Sequence, residues 1–186
     1  YNGAASDLIL PDNNHLKGQH NLENIALVKK ICQHFNYDEN KFSAGLSSYI
    51  GLPHRMQYIA KTANMHFYND SKATNLEAAL KSIASLKNIY LLAGGIAKDK
   101  DFTPLLEYHN NLKTAFLFGQ DSNLIAASCG NKIKHAIYDN LTAAFRAAIL
   151  AAKSSNTEAN ILLAPACASM DQFANFSERG NKFIEL

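Results

Sequence analysis

A chain of 186 residues that is 47% hydrophobic and 18% charged can bury one good core, or one core and a smaller appendage. A net charge of +2 and the lack of any Lys/Arg run exclude a surface that tracks nucleic acid. Cys32, Cys129 and Cys167 are odd in number, far apart and set in apolar contexts, the pattern of reduced cytoplasmic thiols and not of a disulfide scaffold or a zinc site. No apolar run approaches the roughly 20 residues of a membrane span and no signal peptide is recognisable, so a cytoplasmic protein without membrane contact is expected. The chain begins at Tyr1 without a methionine and reads as a piece of something longer.

Residues 1–20 are rich in Asn and Asp and carry no period; the first sixteen are expected to be poorly ordered or irregularly packed, for want of sheet partners. Asn21 reads as the N-cap of a helix whose Leu22, Ile25, Val28 and Phe35 share a face. Asp38 reads as the cap of a second helix reaching Ser48. Gly51-Leu52-Pro53 interrupts it, because proline biases the preceding residue away from helix, and a boundary there divides the chain into 1–51 and 52–186.

Beyond the boundary, Met56–Ala60 and Met65–Tyr68 read as a hairpin. A helix carrying Leu76, Ala79, Leu80 and Ile83 follows, then a strand at Ile89–Ala93 and a helix opening at Thr103-Pro104, where proline suits the first turn. The remaining elements are a strand at Ala115–Phe118, a helix from Asp121 to Ser128, a short strand at His135–Tyr138, a helix from Asn140 to Lys153, a strand at Ile161–Ala164 and a C-terminal helical segment. In the helix from Asn140, Leu141, Ala144, Phe145, Ala148, Ile149 and Ala152 form one apolar stripe. Strands alternating with helices predict an α/β fold with a Rossmann-like, mostly parallel sheet and helices on both faces, preceded by a short helical remnant.

Three strand ends carry the chemistry. Asn69-Asp70-Ser71-Lys72-Ala73-Thr74, Gly94-Gly95-Ile96-Ala97-Lys98 and the run from Pro165 to Phe176 (P-A-C-A-S-M-D-Q-F-A-N-F) each follow a buried strand. The carboxyl ends of parallel strands are where open sheets bind ligands, so lysines and hydroxyls converging there point to an anionic ligand. Asp70 is placed to bond ribose hydroxyls and Lys72 to meet phosphate; equally, Asp70 or Thr74 caps a helix and Lys72 is a solvated charge. Cys167 reads as packing, not as a nucleophile. His54 reads as a nucleotide contact or a hinge contact, and the other histidines show no ligand spacing, so no metal site is assigned.

The string N-D-S-K-A-T-N at Asn69–Asn75 resembles the motif that opens the third domain of the Mur ligases, in the form carried by the branch that adds D-glutamate. The run Pro165–Phe176, continued by Glu178-Arg179-Gly180-Asn181-Lys182-Phe183, resembles the family's C-terminal signature. Gly51-Leu52-Pro53-His54-Arg55 resembles its interdomain linker, and Gly18-Gln19-His20-Asn21 with Asn24 resembles the last helix of its central domain. Ile96-Ala97 departs from the residues relatives often have, while Lys98 stands in place. A phosphate loop G-x-x-x-x-G-K-[ST] occurs nowhere in these residues.

The resemblance implies a C-terminal portion of an ATP-dependent ligase of peptidoglycan synthesis: the tail of the central ATPase domain at 1–51 and the D-glutamate-binding domain at 52–186. It implies ATP with Mg²⁺, the metal ligands lying in the missing central domain, and D-glutamate and UDP-N-acetylmuramoyl-L-alanine as further substrates. Asn21 and Asn24 would bond adenine, Arg55 the phosphates and Asp70 the ribose. Lys72 would act at the γ-phosphate and acyl phosphate, and Thr74, Lys98, Ser169, Met170 and Phe176 would hold D-glutamate. By itself the chain is expected to be inactive. A folylpolyglutamate-type ligase and a non-catalytic nucleotide- or amino-acid-binding α/β module are the rival readings, and N-D-S-K-A-T speaks against the first.

Overall fold

The computed structural model describes residues 19–155 and 157–186; the reading of residues 1–16 lies outside them. The chain divides into two compact units, with Gly51 closing the first and Leu52 opening the second. In the first, α1 (Gln19–His34) and α2 (Glu39–Ser48) are joined by a short turn, and Lys29 pairs with Glu39 at 2.8 Å. Asp38 caps α2, accepting from the N–H groups of Asn40 and Lys41. Asn21 lies inside α1 and does not cap it, because helical structure is in place by Gln19. Of the apolar face expected on α1, Ile25 is buried while Val28 and Phe35 are exposed.

The second unit is a six-stranded sheet. Its elements in chain order are β1 (Gln57–Thr62), β2 (Met65–Asn69), α3 (Leu76–Ala84), β3 (Ile89–Gly94), a 3₁₀ helix (Thr103–Tyr108), β4 (Leu112–Phe118), α4 (Ser122–Cys129), β5 (His135–Tyr138), α5 (Leu141–Lys153), β6 (Ala159–Leu163) and α6 (Phe176–Glu185). Across the sheet the order is β1-β2-β6-β3-β4-β5, antiparallel between β1 and β2 and parallel elsewhere. β6 therefore lies between β2 and β3, reached from β5 by the crossover through α5.

Two layers cover the sheet because the central strands are apolar on both sides. Ile89, Leu91 and Ala93 of β3 face one core with Leu76, Ala79 and Ile83 of α3, Leu105 of the 3₁₀ helix and Ile125 of α4. Tyr90 and Leu92, one residue out of phase, face the other core with Leu141, Ala144, Phe145 and Ala148 of α5 and Phe183 of α6. Where a full helix was expected at Thr103-Pro104, the chain makes only a 3₁₀ helix before entering β4. Asn75, not Asp70 or Thr74, caps α3, accepting from the N–H of Ala78. After β6, regular helix is delayed to Phe176, so most of the Pro165–Phe176 run is loop.

Candidate functional site

β2 and β3 send the chain to the α3 side of the sheet, whereas β6, between them, sends it to the α6 side. Such a divergence opens a crevice at the carboxyl ends of the strands. The three loops are tied there by main-chain bonds. The N–H of Asp70 donates to the carbonyl of Leu163 (2.8 Å), that of Gly94 to Pro165 (2.9 Å), and Ile96 and Ala168 exchange bonds of 2.9 and 2.8 Å. Gly95, at φ +129°, runs so close to the third loop that a Cβ would lie 2.0 Å from the carbonyl oxygen of Ala168; only glycine fits.

The loop after β2 grips the segment that leads into β1. His54 and Met56 are in the left-handed region at φ +61° and +42°, costly for residues with side chains. The N–H of Met56 donates to Asp70 Oδ1 (3.1 Å) and the N–H of Lys72 to the His54 carbonyl (3.0 Å). The other oxygen of Asp70 accepts from the Ser82 hydroxyl of α3. Asp70 is thus turned into the protein. Asn69, fully buried, accepts from the N–H of Ser71 (3.1 Å) and donates to the Gly180 carbonyl (3.1 Å), with His54 Nδ1 at 3.0 Å. Burial without a charged partner holds the His54 imidazole below its ordinary pKa.

Lys72 is half-buried, its Nζ 3.8 Å from the centre of the Phe176 ring, a cation–π contact. The edge of the same ring meets His54, with centroids 6.1 Å apart. Phe176, expected to shape a D-glutamate pocket, lies here under the loop lysine. Thr74 is half-buried; Lys98, Met170 and Arg55 are exposed. Ser169 is buried, and its hydroxyl makes no hydrogen bond within the described residues. Asn21, half-buried, and Asn24, exposed, belong to the first unit.

Arg179 organises the edge, and no role was read for it in the sequence. It is fully buried on α6. Its Nε donates to Ser71 Oγ (3.1 Å), Nη1 to the Gly94 carbonyl (3.3 Å), and Nη2 to the carbonyls of Ser71 and Cys167 (3.0 Å each). One guanidinium therefore joins the ends of β2, β3 and β6. Burial pushes its pKa down to about 10, leaving it charged at neutral pH. The available signal was its spacing of four from Phe183, which sets both on the apolar face of α6. Burial likewise pushes the Cys167 thiol up to about 12, so the thiol is packing and carries no reactive thiolate. Beyond Gly119, a hollow of about 410 Å³ is lined by Gly119, Gln120, Tyr138, Asp139, Asp171 and Gln172, none of which the sequence had assigned.

The family described as "Mur ligase, glutamate ligase domain" matches residues 54–167. The protein named UDP-N-acetylmuramoylalanine–D-glutamate ligase in Rickettsia prowazekii is 47% identical over 178 residues, 95% of this chain and 40% of that protein. The protein of the same name in Mesorhizobium japonicum is 38% identical over 169 residues, covering 90% of this chain and 36% of its own length. The chain thus spans about 40% of the length of the first of these relatives. Among solved structures, UDP-N-acetylmuramate-alanine ligase from Thermotoga maritima superposes with a TM-score of 0.63 at 12% identity, over 90% of this chain and 37% of that one. The bifunctional folylpolyglutamate synthase/dihydrofolate synthase from Yersinia pestis gives 0.63 at 16% identity, over 95% and 40%. At such identities these two speak for the fold alone.

Proposed function

The chain belongs to the Mur ligase family through its glutamate ligase domain, and on that premise we propose that it is the C-terminal portion of the ATP-dependent ligase that joins D-glutamate to UDP-N-acetylmuramoyl-L-alanine in peptidoglycan synthesis. The observation that carries the reading is Ser169. Its hydroxyl, on a buried residue, has no hydrogen-bond partner among the described residues, and it sits on the loop that β6 sends between the loops bearing Lys72 and Lys98. A buried polar group without a partner is costly unless a ligand supplies one.

In this reading ATP phosphorylates the terminal carboxylate of UDP-N-acetylmuramoyl-L-alanine. The amine of D-glutamate then attacks the acyl carbonyl and phosphate leaves, so positioning and charge stabilisation dominate. Lys98, Thr74 and Ser169 offset the desolvation of the D-glutamate carboxylates, with Met170 at the mouth. Lys72, released from Phe176, meets the transferred phosphoryl group. Arg55 serves the ATP phosphates, and Asn21 and Asn24 the adenine. Asp70 first orders the loop; a carboxylate oxygen accepts more than one bond, so a ribose hydroxyl can still donate to it. We assign magnesium no ligand in this chain. Among the described residues no three His, Cys, Asp or Glu side chains are grouped to hold a metal.

The test supplies ATP, UDP-N-acetylmuramoyl-L-alanine and a panel of amino acids to the full-length enzyme and to these 186 residues. Ligation of D-glutamate by the full-length enzyme and none by the chain alone is expected. Preference for another acceptor, or turnover by the chain alone, overturns the reading.

A further inference from the structure

The orientation of the Asn69 carboxamide is set by two main-chain groups. Its oxygen faces the N–H of Ser71 and its nitrogen faces the carbonyl of Gly180, so neither can be exchanged for the other. The remaining hydrogen of that nitrogen points to His54 Nδ1 at 3.0 Å. Nδ1 must then be an acceptor, and the ring proton sits on Nε2. Gly180 presses against the same ring: a Cβ there would lie 2.2 Å from His54 Nδ1.

We infer that Asn69 is a positioning residue of this site: it fixes His54 as the Nε2–H tautomer and, through one carboxamide, locks α6, the Lys72 loop and the strained segment displaying Arg55 into one arrangement. Each part of that arrangement is visible. Ser71, whose N–H Asn69 receives, gives its hydroxyl proton to the Phe176 carbonyl (2.7 Å) and accepts from Arg179. Lys72 donates its N–H to His54, while its ammonium rests on Phe176. Arg55 stands between the two left-handed residues His54 and Met56, so the exit direction of its side chain follows from how they are held.

The charged groups on the surrounding elements are already engaged. On the loop after β2, the Asp70 carboxylate is taken by Met56 and Ser82 and the Lys72 ammonium lies over Phe176. On α6, Arg179 is bound to Ser71, Gly94 and Cys167, Glu178 accepts from the N–H of Ala174, and Lys182 pairs with Glu185. Arg55, in the same segment, is exposed. Among the described residues no carboxylate is bonded to the imidazole, in keeping with its pKa being lowered by burial. Asn69→Asp would supply one.

The role in the reaction rests on the proposed function, so the experiment has one arm that needs no activity. In ¹⁵N spectra of the histidine rings of this chain, His54 is expected to show an unprotonated Nδ1 and a protonated Nε2 at neutral pH. In Asn69→Asp the new carboxylate draws a proton onto Nδ1, and His54 titrates at a higher pH than in the parent. In the full-length enzyme, kcat/KM for ATP in Asn69→Asp should lie nearest the parent's at acid pH, where the ion pair replaces the bond to His54 although the donor to the Gly180 carbonyl stays lost. It should fall about ten- to a hundredfold as pH rises through the new midpoint, where two acceptors oppose each other. An Nδ1–H tautomer in the unsubstituted chain overturns the inference whether or not the variant folds, as does an unmoved His54 titration in a folded Asn69→Asp chain. A loss of activity equal at every pH overturns the link to the reaction. Failure of the parent to use D-glutamate overturns the functional reading and leaves the spectroscopic arm standing.

Discussion

A buried guanidinium that meets no carboxylate must recover its desolvation cost through hydrogen bonds, and Arg179 does so with four, three of them to main-chain carbonyls. Such a residue is hard to read from sequence because its partners are main-chain groups 12 to 108 positions away. Asn69 was obscure because the groups that orient it, the Gly180 carbonyl and His54, lie 111 and 15 positions away. The strand-end positions of Lys72, Thr74, Lys98 and Ser169 were legible because each stands just past a buried apolar run, where a parallel sheet delivers its loops. Asp70 was read as facing ligand, and only the placement of Ser82 and Met56 reveals what it holds. Lys98 is the residue on which the D-glutamate assignment is most exposed to test. Its side chain makes no ion pair among the described residues, so a lost ligand contact is all that truncation should report. Lys98→Ala in the full-length enzyme is expected to raise KM for D-glutamate about ten- to a hundredfold, from about 1.5–3 kcal/mol, with KM for ATP little changed. Steady-state kinetics against both substrates checks this, and a shift confined to ATP would move the lysine to the nucleotide side.

Among the elements, α6 carries the most consequence in the fewest residues. Asn175 caps it by accepting from the N–H of Glu178 (2.9 Å), while the Glu178 side chain accepts from the N–H of Ala174 (2.6 Å). That near-reciprocal pair, written N-x-x-E in the sequence, starts the helix at Phe176. The signal was present, although the sequence reading set no start for this helical segment. β5 and α5 were legible almost to the residue, since a short apolar strand, an asparagine cap and a broad stripe leave little choice. The stretch after Thr103-Pro104 misled because proline marks a helical first turn without dictating its length. Within α6, Gly180→Ala should gain about 1 kcal/mol of helix propensity and lose more by collision. Its Cβ would press on an imidazole already held by Asn69 and unable to give way. A net loss of about 1–3 kcal/mol is expected in urea unfolding of this chain, substantially recovered in the double variant with His54→Ala. Unchanged stability in the single variant would mean that α6 does not dock on His54 as described.

For the whole molecule, the alternation of strands and helices and the unbroken apolar runs at Ile89–Gly94 and Ile161–Ala164 announced a parallel sheet covered on both sides. The insertion of β6 between β2 and β3 was not legible, because periodicity says which faces are buried and not which strands are neighbours. The response to pH follows from burial at four separate places: His54 before β1, Cys129 at the end of α4, Cys167 in the loop after β6 and Arg179 on α6. His54 is held below its ordinary 6.5, so the folded state resists its protonation. The associated stability is present above about 6.5 and is lost as pH falls toward the folded pKa. Cys129 and Cys167 are pushed the other way, from 9.0 to about 11 and about 12, by burial. Their contribution is intact below 9 and is lost as pH climbs through those values. Arg179, lowered to about 10, opposes them, because losing its charge relieves a buried cation above that pH. Glu77, lowered chiefly by its bond to Lys81, and Asp101, lowered chiefly by the N–H of Thr103, act below the ordinary carboxylate range and so leave the window untouched. Urea midpoints of this chain, followed by far-ultraviolet circular dichroism, should therefore form a plateau from about pH 6.5 to 9. His54→Gln should flatten only the part of the acid limb between about pH 6.5 and the carboxylate range, and Cys167→Ala should shrink the alkaline limb to the part that Cys129 supplies. An unchanged fall in His54→Gln between about pH 6.5 and the carboxylate range would show that the proton responsible for it binds somewhere other than the imidazole under α6.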